Sequence, residues 1–132
     1  MSTTQGRAKP RILVIDDEEP ILFALAEYLG TFGFEVDGAR EAEEAEALLA
    51  HVRYGAVISD LRLSGVHGTE GLEVVGFVRE RCPWARILIL TAYGSTEIEA
   101  EAYRLGADAF LRKPLPLADV AQAVFGMLGE AA

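Results

Sequence analysis

Arg11-Ile-Leu-Val-Ile-Asp16-Asp17-Glu18 is the stretch on which the fold turns. Ile12 to Ile15 is a short, unbroken, mostly β-branched run with no polar alternation, the pattern of a strand covered on both faces. It ends abruptly in carboxylates. Three further runs share this design: Gly55-Ala-Val-Ile-Ser-Asp60-Leu61 ends in an aspartate, Arg86-Ile-Leu-Ile-Leu-Thr91-Ala92 in a hydroxyl, and Asp108-Ala-Phe110-Leu-Arg-Lys113-Pro114 in an ammonium group before proline. In a parallel sheet these four ends lie at one edge, where open α/β sheets bind ligands. Carboxylates, a hydroxyl and a lysine converging there describe a site for a divalent cation and a phosphoryl group.

Helical patterns separate the strands. Ile21, Leu22, Leu25, Leu29 and Phe32 recur at helical spacing, with Pro20 suited to a first turn and Gly30 and Gly33 closing the segment before a strand near Phe34 to Asp37. Glu41 to Val52 reads as a surface helix with Ala45, Leu48, Leu49 and Val52 on one face. A helix is predicted from about Leu72 to Arg81, stopped by Cys82-Pro83. Another is capped by Ser95 and closed by Gly106, and a terminal one runs from Pro116 to Leu128. Five strands alternating with five helices predict an α/β fold with helices on both faces of a parallel sheet.

At 132 residues the chain is expected to be a single domain, with a core over about 9–128 and a flexible tail over 1–8. The net charge of −9 argues against direct binding to nucleic acid or anionic membrane. The single cysteine, Cys82, rules out an intramolecular disulfide and agrees with a reducing cytoplasm. No apolar run reaches membrane-spanning length, and the polar start lacks a signal-peptide hydrophobic stretch.

Taken singly, the polar strand ends have duller explanations. Asp17 and Glu18 could cap the following helix, Asp60 could be a solvated loop carboxylate, and Lys113-Pro114 an ordinary turn. Taken together and in order, they resemble the receiver domain of bacterial two-component response regulators, the chemotaxis-regulator type, over nearly the whole chain. The resemblance implies a flavodoxin-like, doubly wound sheet with strand order 2-1-3-4-5. It also implies the roles: Asp60 as phosphoacceptor, with Thr91 and Lys113 assisting; Asp16, Asp17, Asp60 and the backbone carbonyl of Arg62 as the Mg²⁺ site; and Thr91 and Phe110 as the switch. In that scheme Thr91 moves toward the phosphoryl group and the Phe110 ring turns inward, and Lys113-Pro114 is cis.

The implied function is acceptance of a phosphoryl group from a histidine kinase or histidine phosphotransfer protein, with no enzymatic activity beyond the domain's own phosphorylation and dephosphorylation. A changed surface then meets a downstream protein or output domain; a phosphorylation-dependent dimer is left open. Rivals are an aspartate-nucleophile phosphatase, which needs a second acid that Asp60-Leu61-Arg62 lacks, a flavodoxin-type cofactor binder, and a phosphorylation-independent interaction module. No recognisable output domain is expected after the terminal helix, so a stand-alone regulator, a relay intermediate and a piece of a longer regulator stay open.

The chain departs from the family pattern after Asp60. Ser64 stands where proline is common, and His67 replaces an acidic or amide residue beside Gly68. Thr69-Glu70-Gly71 reads as an insertion whose register has two solutions. Arg62 and Tyr93 are expected to cover the acyl phosphate in part. His51 and His67 read as solvated residues, and Trp84 as a packing residue.

Overall fold

The alternation of strand and helix patterns folds as β1 (Arg11–Ile15), α1 (Glu19–Gly30), β2 (Glu35–Ala39), α2 (Ala42–His51), β3 (Ala56–Ser59), α3 (Glu70–Arg81), β4 (Arg86–Thr91), α4 (Thr96–Leu105), β5 (Ala109–Arg112) and α5 (Leu117–Leu128). The computed structural model describes residues 9–62 and 70–129. All four strand pairings are parallel, in the order β2-β1-β3-β4-β5. The order and the five helices are those expected from the sequence. The readings placed on 1–8, Ser64, His67, Gly68 and Thr69 lie outside the described residues.

The period-2 geometry of the strands divides the apolar side chains between two cores. Leu13, Ile15, Val57, Ile87 and Ile89 face α2, α3 and α4, meeting Ala45, Leu49, Val75, Val78 and Ala102. Ile12, Val14, Ile58, Leu88 and Leu90 face α1 and α5, meeting Leu25, Leu29, Val120 and Val124. β1, β3 and β4 are therefore apolar on both sides along their middles, and only their ends are free to carry polar groups.

The caps of α4 are those read from the sequence: Ser95 Oγ accepts from the Ile98 amide at 3.2 Å, and Gly106 closes the helix at φ 119°. A Cβ at Gly106 would also lie 2.8 Å from Arg79 Nε. The Arg79 guanidinium is held there because it donates to the carbonyls of Pro83, Ala85 and Gly106 and to Asp108.

Two boundaries differ from expectation. β2 runs to Ala39 because it is an edge strand whose Asp37 is held by Tyr54 and Arg11, so no continuous apolar run marks it. α3 begins at Glu70, two residues before Leu72. Here a Cβ on Gly71 would lie 2.2 Å from the Asp60 carbonyl oxygen and 2.5 Å from Leu61 Cα. Only glycine lets this first turn approach the Asp60 backbone, and the Gly71 amide donates to Leu61 O at 2.9 Å. Trp84, read as a packing residue, is 43% exposed and packs against Arg53, whose guanidinium lies over its ring.

Candidate functional site

Asp16, Ser59, Asp60 and Thr91 are the buried polar or charged residues among those described, and all four stand at the carboxyl edge of the sheet. Register places them there: Ile15 pairs with Ser59, so the residues that follow, Asp16 and Asp60, are neighbours. The Asp60 amide donates to Ile15 O at 3.0 Å, and the Asp16 amide to Ala39 O at 3.0 Å. Across the sheet Thr91 pairs with Arg112, and the Lys113 amide donates to Thr91 O at 2.9 Å. The Lys113-Pro114 bond is cis.

Lys113 Nζ bridges the two buried carboxylates, at 2.7 Å from Asp16 Oδ2 and 3.3 Å from Asp60 Oδ2. One ammonium thus serves two carboxylates, 2% and 3% exposed, leaving negative charge uncompensated. Burial pushes the Asp16 carboxyl above the usual carboxylate range, and the nearby Asp60 charge adds to that. The hydrogen bond from Lys113 and that from the Glu18 amide oppose the rise without cancelling it. Lys113 is itself pushed up: burial acts against its charge, but the hydrogen bond to Asp16 and the fields of Asp60 and Asp16 outweigh it.

Oxygens of Asp16, Asp17 and Glu18 lie within 4.8 Å of one another, a grouping of hard ligands. Asp16, Asp17, Asp60, Thr91 and Lys113, all named from the sequence, thus stand at one edge of the sheet. Asp16 belongs both to the acidic trio and to the Lys113 bridge, and the Arg62 amide approaches Asp60 Oδ1 at 3.4 Å. Glu18 joins the trio, although the sequence reading made it a capping candidate; it occupies the N-cap position of α1 without a side-chain cap bond. Instead Asp16 Oδ1 accepts from the Glu18 amide at 3.0 Å.

Two aromatic–cation stacks frame the site. The Arg62 guanidinium lies 3.9 Å over the Tyr93 ring, which is 44% exposed, and the Tyr93 amide donates to Thr91 Oγ1 at 3.1 Å. Since that bond uses the oxygen as acceptor, the hydroxyl proton of Thr91 is left to donate elsewhere. Phe110 is 7% exposed, so its ring is already inside, near Leu61 and Gly94. Arg112 covers that ring at 4.9 Å and pairs with Glu99 at 3.0 Å. Gly71 and the Arg112–Glu99 pair escaped the sequence reading. Gly71 had a signal, a glycine at a helix start, but its constraint comes from backbone far away in sequence. His51 lies on the surface, away from this edge.

Residues 12–125 match the family described as the response regulator receiver domain. The photosynthetic apparatus regulatory protein RegA of Rhodovulum sulfidophilum is 36% identical over 122 residues, 92% of this chain and 64% of that protein. The chain thus spans less than two-thirds of that relative's length. A response regulator from Burkholderia pseudomallei, solved with a phosphorylated aspartic acid, a calcium ion and citrate, is 32% identical with a TM-score of 0.80, over 87% of this chain and 66% of its own. A CheY-like receiver domain protein from Methanospirillum hungatei JF-1 is 28% identical with a TM-score of 0.86, over 91% and 94%.

Proposed function

The chain belongs to the response regulator receiver family, and on that premise we propose that Asp60 accepts a phosphoryl group from a histidine kinase or histidine phosphotransfer protein. The observation that carries this reading is the pair of buried carboxylates, Asp16 and Asp60, held by the single ammonium of Lys113 beside the buried Thr91 hydroxyl. A buried acid with too little counter-charge is poised to gain from a cation and a phosphoryl group arriving together.

The acidic trio of Asp16, Asp17 and Glu18 suits a hard divalent cation, Mg²⁺ in this reading; by the family resemblance Asp17, Asp60 and the Arg62 carbonyl would hold it, with Asp16 acting through water. When bound, the cation supplies the positive charge that lets a carboxylate approach a phosphoryl group. The chain's own residues do the rest. A carboxylate oxygen of Asp60 forms the new bond to phosphorus as the bond to the donor nitrogen breaks. Lys113 turns from Asp60 toward the phosphoryl oxygens, and Thr91 donates its free hydroxyl proton to one of them. The Arg62–Tyr93 stack narrows the path by which water reaches the acyl phosphate, setting its lifetime. Movement of Thr91 is transmitted to Phe110 and so to α4, β5 and α5, the surface read by an output domain or downstream partner.

In this reading the domain catalyses only its own phosphorylation and dephosphorylation, and it works in the cytoplasm. No helix among the described residues is long and apolar enough to cross a membrane. An apolar cavity of about 220 Å³ lined by Ile21, Leu25, Leu90, Pro114 and Leu115 opens next to the Lys113 stem. The test is incubation with acetyl phosphate and Mg²⁺, read by intact-protein mass spectrometry. One phosphoryl group is expected on the parent and none on Asp60→Asn; labelling of that variant at the parent's level overturns the assignment.

A further inference from the structure

A cleft of about 450 Å³ opens at the opposite, amino-terminal end of the sheet, lined by Leu49, His51, Arg53, Arg81, Cys82 and Trp84. Its volume lies in the range of small-molecule sites. His51 and Arg81 end α2 and α3, and Arg53 and Trp84 sit in the loops that follow. All four are exposed.

The cleft is unusual for its arginines. The chain carries 21 Asp and Glu against 12 Lys and Arg, and Arg11, Arg40, Arg79, Arg86, Arg104 and Arg112 each pair with a carboxylate. Among the described residues Arg53, Arg62 and Arg81 have no such ion pair. Arg62 stands at the phosphoacceptor site, and the other two line this cleft. Both are fixed by aromatic faces instead: Arg53 lies 3.9 Å over Trp84, the same separation as Arg62 over Tyr93, and Arg81 lies 4.8 Å over Phe77. A ring face orients a guanidinium without using its N–H donors, so the fork stays available to a carboxylate or phosphate. The two charges also act on one point, since the fields of Arg53 and Arg81 both pull down a Cys82 thiol that burial pushes up.

A cation in the last turn of a helix suits its dipole, which accounts for Arg81. It does not account for Arg53, which lies beyond the end of α2, nor for a half-exposed tryptophan held under it. We propose that this cleft is a second ligand site, taking a compact multivalent oxyanion, a phosphate ester or a di- or tricarboxylate, gripped by Arg53 and Arg81 against the wall of Trp84. A long polyanion is disfavoured because each added charge meets the net −9 of the chain, whereas a compact anion gains from the local cations. The carbonyl ends of α2 and α3 oppose an anion, so the expected dissociation constant is modest, about 0.1–1 mM.

Trp84 is the chain's single tryptophan, so its emission reports this cleft alone. The parent is titrated with pyrophosphate and, separately, with citrate, at constant ionic strength and without divalent metal. A saturable change in emission is expected with at least one of them, and which one saturates identifies the phosphate or carboxylate class. The midpoint should weaken about tenfold or more in Arg53→Gln and in Arg81→Gln, the size of a lost charge-assisted pair, and stay unchanged in Asp60→Asn. Both arginines are exposed, and unchanged thermal unfolding confirms that the variants are folded. The proposal is overturned if neither anion saturates, if both arginine variants keep the parent midpoint, or if Asp60→Asn abolishes the response.

Discussion

The middle of the edge strand β2 and the carboxyl edge of the sheet hold aspartates under opposite conditions. In β2, Asp37 accepts from the Tyr54 hydroxyl at 2.6 Å and from Arg11 at 3.1 Å, both reaching it from the amino-terminal side, and Arg11 also pairs with Glu35. The Tyr54 hydrogen bond, with Arg11 behind it, outweighs burial and holds the Asp37 carboxyl below the usual range; Tyr54 itself is pushed well up, chiefly by burial. At the carboxyl end Asp16 and Asp60 share Lys113, and Asp16 is pushed up. One residue type thus serves as mortar where donors are plentiful and as a reactive group where they are scarce. What differs is the supply of partners, set by where in the sheet each aspartate stands.

Packing at the carboxyl edge is tightest against Gly71. Gly71→Ala places a methyl group against the Asp60 carbonyl, and a loss of about 1–3 kcal/mol in urea unfolding is expected. Retention of parent stability would show that the α3 turn gives way without cost.

Next in size, Asp37→Asn leaves Tyr54 and Arg11 with a weaker acceptor, lowering stability by about 1–2 kcal/mol at neutral pH. Because the folded Asp37 carboxyl lies below its unfolded value, its contribution is present above the unfolded value and disappears as pH falls through the folded one. Thermal unfolding across the acid range should therefore fall less steeply for Asp37→Asn than for the parent. Parallel curves would remove the distinction between β2 and the carboxyl edge.

Asp60→Asn sharpens the contrast by reversing the sign. It removes one of two carboxylates competing for Lys113 while Asp16 keeps that partner, so stability is expected to rise by about 1 kcal/mol in the absence of metal. A loss comparable to that of Asp37→Asn would mean that Asp60 is as well compensated as Asp37.

The smallest effect is kinetic. Arg62→Ala and Tyr93→Ala each dismantle the stack beside the acyl phosphate, and a change of about threefold in dephosphorylation rate is expected, the scale of one exposed cation–π contact. Equal rates in parent and variants would leave the stack without a role in setting the lifetime.

The sequence was most legible where a local signal and a tertiary demand coincide. β1, β3 and β4 are apolar on both faces because helices cover both, so their polar ends stand out as a set. Ser95 and Gly106 announce α4 because caps are local chemistry. The end of β2 was hidden because an edge strand can hold Asp37 by side-chain partners rather than by an apolar run. The start of α3 was hidden because Gly71 answers to the backbone of Asp60 and Leu61, which no local pattern encodes. Trp84 read as a packing residue, and the group it packs against is a guanidinium, so it stays half-exposed.

The amide of Lys113 hangs from the carbonyl of Thr91, so hydroxyl and ammonium are mounted on one bracket rather than on two loops. Neither can be retuned alone. Lengthening β5 by a residue would swing the ammonium to the sheet's other side while the hydroxyl stayed in place. That shared mounting makes the spacing of these two groups a property of the fold, and leaves the neighbouring side chains as the parts free to vary from one such protein to the next.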